Sequence, residues 1–263
     1  MDPVKRTTKR GVLTVTLADP ENRNALGGAL VQGIHDAIAA ANADAAIRAV
    51  VLTNEGNTFC AGANLKQQRA GAAQSAVATI RFDELLRTIQ TSPTPILGRI
   101  AGHVVGGGNG LAAALDISIA ADDVKFGFTE VRLGVAPAII SVVCLPKMRP
   151  ADAMEAFLRG NRFSAARAAE MGLINRAVPR DQLDAAVEEV LADLRLGGPE
   201  ALGVAKRLVR EVPHLEQGDA FQRMTRLSAE LFRSKEAAEG VVQSPQLLGP
   251  YRRVDLEHAA LVH

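Results

Sequence analysis

A carboxylate in apolar company, a run of glycines and a loop of small residues each suit a step of proton or oxyanion chemistry. Glu130 stands in Phe128-Thr-Glu-Val-Arg-Leu-Gly134. A carboxyl flanked by Phe128, Val131 and Leu133 is partly desolvated and its pKa raised, which prepares it for proton transfer. Taken alone, the same glutamate would more often make a surface ion pair with Arg132 or another cation. Gly106, Gly107 and Gly108 lie in the stretch from Ile100 to Ile117, between an apolar run and an Ala/Leu-rich run. A helix starting there exposes N–H groups that have no intrahelical acceptor and that hold negative charge, standing or transient. Close packing of helix on strand would also explain the glycines. Phe59-Cys-Ala-Gly-Ala-Asn-Leu65 follows a buried apolar run, where α/β sheets place binding groups. Its small side chains let a ligand reach the main chain; an ordinary tight loop is the alternative.

The elements around these stretches are read from periodicity and turn residues. Residues 11–17 and 48–53 read as strands, the second apolar throughout and so covered on both faces. Asp19 to Asn24 is turn-rich, and residues 25–42 carry apolar positions on one helical face. Residues 74–91 read as a helix that Pro93 and Pro95 end, followed by a strand over 95–100. Leu111 to Leu115 opens a buried helix, 124–128 is a short strand and 130–134 a turn. Helices dominate from Pro150 on, at 150–159, 164–171, 180–195, 199–211 and 218–238. The division expected is an α/β core over residues 1–190 and a helical C-terminal region over 191–263.

Composition removes several classes of function. The 263 residues carry a net charge of +1, so a general nucleic-acid face is not expected. Cys60 and Cys144 have no metal or C-x-x-C spacing, which points to a reducing compartment and no bound metal. No run reaches the roughly 18 apolar residues of a membrane span, and no signal-peptide segment opens the chain. A soluble cytoplasmic protein is the expectation. Nucleophile-elbow, zincin, P-loop and dinucleotide fingerprints are all absent. His103 lies nearest the glycines but has no carboxylate or metal partner in sequence, so a structural role is expected.

Taken in order, F-C-A-G-A-N-L at 59–65, A-G-x-x-x-G-G-G-x-G-L from 101, and F-x-F-T-E-V-R-L-G from 126 with Pro137 resemble the enoyl-CoA hydratase/isomerase (crotonase) superfamily. Asn24-Ala25-Leu26 and the run from Phe163 to Val178 extend the resemblance over about residues 10–240. The resemblance implies a spiral of repeated strand–strand–helix units with a helical C-terminal region for trimerisation or a lid, assembled as homotrimers or hexamers. It implies an acyl-CoA thioester substrate, with coenzyme A as part of the substrate and no separate cofactor. By motif, the Ala63 and Gly107 N–H groups form the oxyanion hole and Glu130 is the acid/base. Ala61 to Leu65, Asn64 among them, line the coenzyme A channel, with Ala25 and Gly106 beside it, and Arg23 meets the phosphates.

The chain departs from the family's two-carboxylate hydratases at Gly110, where those carry their first glutamate. Single-acid 3-enoyl isomerases place their acid at the Glu130 position, and branched-chain hydratases of the methylglutaconyl type resemble the G-G-G-x-G-L and E-V-R-L-G patterns. Gln243 to Tyr251 also departs from the usual acyl-lid ending. Residue 110 falls one helical turn from Gly107, about 5 Å along the axis. The expectation is a vacated space there that suits a branched or polar acyl group and would accept a grafted glutamate. Hydration of a 2-enoyl-CoA is the first reading and double-bond isomerisation the second. A non-catalytic acyl-CoA-binding member is the third, disfavoured because a binder has no use for a desolvated acid.

Overall fold

The apolar runs become strands that alternate between two sheets, and this alternation sets where the site lies. The computed structural model describes residues 2–64 and 80–243. An antiparallel pair, β1 (Val4–Lys9) and β2 (Val12–Leu17), opens the chain, followed by helix α1 (Gly28–Ala43). Then come β3 (Ala49–Asn54) and β4 (Thr58–Cys60), helix α2 (Phe82–Thr91), β5 (Ile96–Ile100) and β6 (His103–Val105), and helix α3 (Gly107–Ala114). The rhythm continues with β7 (Ile117–Ala121), β8 (Lys125–Gly127), a 3₁₀ turn over Glu130–Leu133 and helix α4 (Ala138–Cys144). Helix α5 (Pro150–Arg159), β9 (Arg162–Ser164), α6 (Ala165–Glu170), β10 (Arg176–Val178) and α7 (Leu183–Leu196) complete the first compact unit.

The larger sheet has the order β1-β2-β3-β5-β7-β10 and the smaller β4-β6-β8-β9. Within them β3, β5 and β7 run parallel, as do β4, β6 and β8. From β3 to α4, each strand–strand–helix unit therefore contributes one strand to each sheet, whereas β1 and β2 both belong to the larger one. β3 is buried along its whole length, matching its unbroken apolar run, and β1 is an exposed, charged edge. Leu17, Ile34, Ile38, Leu52, Ile96 and Ile100 fill the core between the large sheet and its helices. Beneath the small sheet, Phe126 stacks on Phe163 at 6.2 Å, and Phe128 packs on Phe157 at 4.5 Å. No helix among the described residues is long and apolar enough to cross a membrane.

The second compact unit runs from Gly197 and holds α8 (Pro199–Glu211), α9 (Gln217–Phe232) and α10 (Lys235–Gln243). The first unit ends at Leu196 because α7 continues through residue 190 and buries Leu191. The single helix read over 218–238 is two. It breaks at Ser234, whose hydroxyl accepts from the Ala237 N–H at 3.0 Å and caps α10. Glu236 in turn accepts from the Glu200 and Ala201 N–H groups at 2.8 and 2.9 Å, capping α8. The helix read from residue 74 starts at Phe82 within the described residues; residues 74–79 lie outside them, as do residues 244–251. Helix α1 starts at Gly28 rather than at 25, because Leu26 is bridged to Ala63.

Candidate active site

Three adjacent parallel strands, β4, β6 and β8, end on the same side of the small sheet, and the chemically suited residues follow those ends. Ala61 to Ala63 leave β4, Gly106 and Gly107 leave β6, and Glu130 follows β8 by way of Phe128 and Thr129. Ligand groups gather at the carboxyl ends of parallel strands because successive exits stand side by side there.

The β4 exit is held by Asn24. Buried and in the left-handed region at φ 49°, Asn24 donates to the Thr58 and Glu55 carbonyls at 2.7 and 3.2 Å and accepts from the Asp19 N–H at 2.8 Å. Ala61 then donates to the Arg23 carbonyl at 3.1 Å, and Leu26 to the Gly62 carbonyl at 2.7 Å. Gly62 has φ 81°, and a Cβ there would lie 2.7 Å from the Gly107 nitrogen, so only glycine lets the two loops meet backbone to backbone. At the β6 exit, Gly106 takes φ 56° and ψ −127° and turns the chain into α3, whose first N–H belongs to Gly107. The helix thus begins four residues before the Leu111 read from sequence, at the glycines themselves. Neither the Ala63 nor the Gly107 N–H donates a hydrogen bond among the described residues.

Asn109 locks this turn. Fully buried, it donates from Nδ2 to the Gly106 carbonyl at 3.0 Å and to the Gly127 carbonyl at 2.8 Å, tying the α3 start to β8. Its polarity within a small-residue run was the available signal for such a strut. His103 is structural, its Nδ1 accepting from the Lys125 N–H at 3.0 Å.

Glu130 is half-buried, and its Oε2 is buried without a hydrogen-bond partner. Burial pushes its carboxyl above the usual carboxylate range. No ion pair joins it to Arg132, whose side-chain stem instead packs against Gly160. Leu133 is 61% exposed, so the desolvation expected from that side chain is small and the burial comes from the walls of the cavity that the acid shares. That cavity has a volume of about 470 Å³. Ala61, Ala63, Gly106, Gly107 and Glu130 line it, and Leu26, Phe82, Pro137 and Ile140 are among its apolar walls. Cys60 and Cys144 are free and buried, and burial pushes the Cys60 thiol up to about 12. No metal-binding cluster exists among the described residues.

The other residues singled out from sequence lie differently. Ala25 and Asn64 are half-buried beside the β4 exit but do not line the cavity. Arg23 is exposed, and its carbonyl, not its guanidinium, is tied to the loop. Leu65 lies outside the described residues. Gly110 is buried and does not line the cavity either. The vacated space expected there does not exist: a Cβ on Gly110 would lie 2.2 Å from Ile140 Cγ2. Ile140 sits on α4, a helix absent from the sequence reading, and fills the volume assigned to an acyl branch or a grafted glutamate. Gly110→Glu by itself would therefore clash.

A family model described as enoyl-CoA hydratase/isomerase matches residues 7–244 of the chain. The enoyl-CoA hydratase EchA19 of Mycobacterium tuberculosis is 31% identical over 239 residues, covering 88% of this chain and 90% of its own. A solved enoyl-CoA hydratase of Mycobacterium smegmatis superposes with a TM-score of 0.86 at 26% identity, over 94% of this chain and 97% of its own. One from Mycobacterium avium is 37% identical, with a TM-score of 0.72 over 94% and 97% of the two chains. With the two-sheet spiral and the order of its motifs, these matches settle the kinship: the chain belongs to the enoyl-CoA hydratase/isomerase family.

Proposed function

We propose that the protein adds water across the double bond of a 2-enoyl-CoA thioester, with Glu130 as its single acid/base. The observation that carries this reading is the cavity shared by a desolvated carboxyl, whose Oε2 has no hydrogen-bond partner, and two backbone N–H groups without acceptors among the described residues. The thioester oxygen takes the Ala63 and Gly107 N–H groups. The Glu130 carboxylate accepts a proton from water as the water oxygen bonds to Cβ. The π electrons move toward the thioester, whose oxygen becomes an enolate held by the two N–H groups. Glu130, now protonated, returns the proton to Cα, restoring both the carbonyl and its own carboxylate. A preorganised donor of this kind is worth about 3 kcal/mol in the transition state. Arg23, exposed at the rim of the β4 exit, meets the coenzyme A phosphates, and the protein works as a homotrimer or hexamer.

Isomerisation of a 3-enoyl-CoA is the second reading. Glu130 is the only carboxyl on the cavity wall among the described residues, and one carboxylate suffices to carry a proton between Cα and Cγ. The absorbance of the conjugated 2-enoyl thioester separates the two reactions. It falls on hydration of crotonyl-CoA and rises on isomerisation of a 3-enoyl-CoA. We expect the fall to be the faster reaction. A rise from the 3-enoyl substrate without any fall from crotonyl-CoA would replace hydration by isomerisation, and no change with either would refute both.

A further inference from the structure

Gly110 on α3 and Ile140 on α4 meet where the two helices cross. A Cβ on Gly110 would lie 2.2 Å from Ile140 Cγ2, 2.6 Å from its Cβ and 3.4 Å from its Cα. Carbon atoms pack at about 3.5–4.0 Å, so the crossing has room for one Cβ, on one helix or the other. Trimming Ile140 to alanine leaves the 2.6 Å clash; only glycine at 140 removes it. Gly110 is not among the glycines of positive φ, so its lack of a side chain is a matter of space. Ile140 is 3% exposed and its side of α4 lines the cavity that also holds Glu130. Among the described residues, Glu130 is the one charged group on that cavity's wall.

We propose that Ile140 is the specificity-determining residue of the acyl subsite: by taking the single Cβ space between α3 and α4, it gives the subsite an aliphatic wall and shuts out any second acid from α3. The substrates it selects have an uncharged, apolar acyl group, since an anionic acyl end would meet a like charge and, among the described residues of the wall, no cation. This rests on the acyl-CoA reading above.

The experiment combines a packing cycle with binding of saturated thioesters, which do not react. Gly110→Ala lowers Tm by about 5 °C or more in the wild-type background. In the Ile140→Gly background the same substitution leaves Tm unchanged or raises it, because alanine is the better helix former. Equal effects in both backgrounds would overturn the one-Cβ crossing. In calorimetric titrations, the wild type binds butyryl-CoA about tenfold more tightly than glutaryl-CoA. Ile140→Gly, or Ile140→Ala if glycine there prevents folding, raises the octanoyl-to-butyryl affinity ratio about fivefold. Ratios unchanged within twofold in a folded variant, or glutaryl-CoA bound as well as butyryl-CoA, would overturn the proposal alone. Failure of the wild type to bind any of the three thioesters would overturn the acyl-CoA reading with it.

Discussion

A carboxylate oxygen kept from water without a donor destabilises the charged form of its own group, and Glu130 Oε2 is in that position. The pH dependence of both activity and stability follows. The base must be ionised, so kcat/KM falls with acid through a limb lying above the ordinary carboxylate range. Stability runs the other way. A folded-state pKa raised above the unfolded value contributes stability below the unfolded pKa, and that stability is lost as pH rises through the folded pKa. Glu130→Gln should therefore have a higher Tm than wild type at pH 8 and an equal one near pH 4. An acid limb in the ordinary carboxylate range, with no Tm difference at pH 8, would contradict the desolvation. At this scale Glu130 was legible from its apolar company, although of the three flanking residues only Phe128 is in the core and Leu133 is exposed. Gly110 was not, because what occupies its space comes from a helix some thirty residues away, and no local pattern carries that distance.

At the scale of elements, the site is a consequence of three consecutive parallel strands that share one sheet. β2 was readable from its alternation, and β3 and β5 from their apolar runs. β4, β6 and β9 were not: each spans 3 residues, too few for a period to register, and each is held by its pairing instead. Helix α4 escaped because its 7 residues, nearly all apolar, are too few to show a helical period. The junction of β6 and α3 depends on Asn109, whose amide donates to the Gly106 and Gly127 carbonyls. Asn109→Asp would turn both donor contacts toward a buried carboxylate oxygen, whereas Asn109→Ala only removes them. We expect about 1–3 kcal/mol of destabilisation for the alanine variant and more for the aspartate, read from urea unfolding. An aspartate variant as stable as the alanine one would mean that the amide does not hold the turn.

Across the whole molecule, the first unit is a well-filled core, while α8 and α9 of the second bury no residue within the single chain. Val209 is 77% exposed, Phe221 69% and Phe232 83%. Large aromatic side chains left this open favour association, so we expect light scattering to give a trimer or hexamer at micromolar concentration. A clean monomer there would contradict it. Turnover is the property to which every part contributes, from the strands that align three exits to the helix that closes the space at Gly110. The central claim is that a single carboxyl moves the proton while two backbone N–H groups hold the oxyanion. The most direct test is the initial rate of crotonyl-CoA hydration by wild type and Glu130→Gln at saturating substrate, with acyl-CoA affinity measured alongside. We expect Glu130→Gln to lose at least about 10²-fold in kcat with affinity nearly unchanged. A glutamine variant that turns over at the wild-type rate would contradict it.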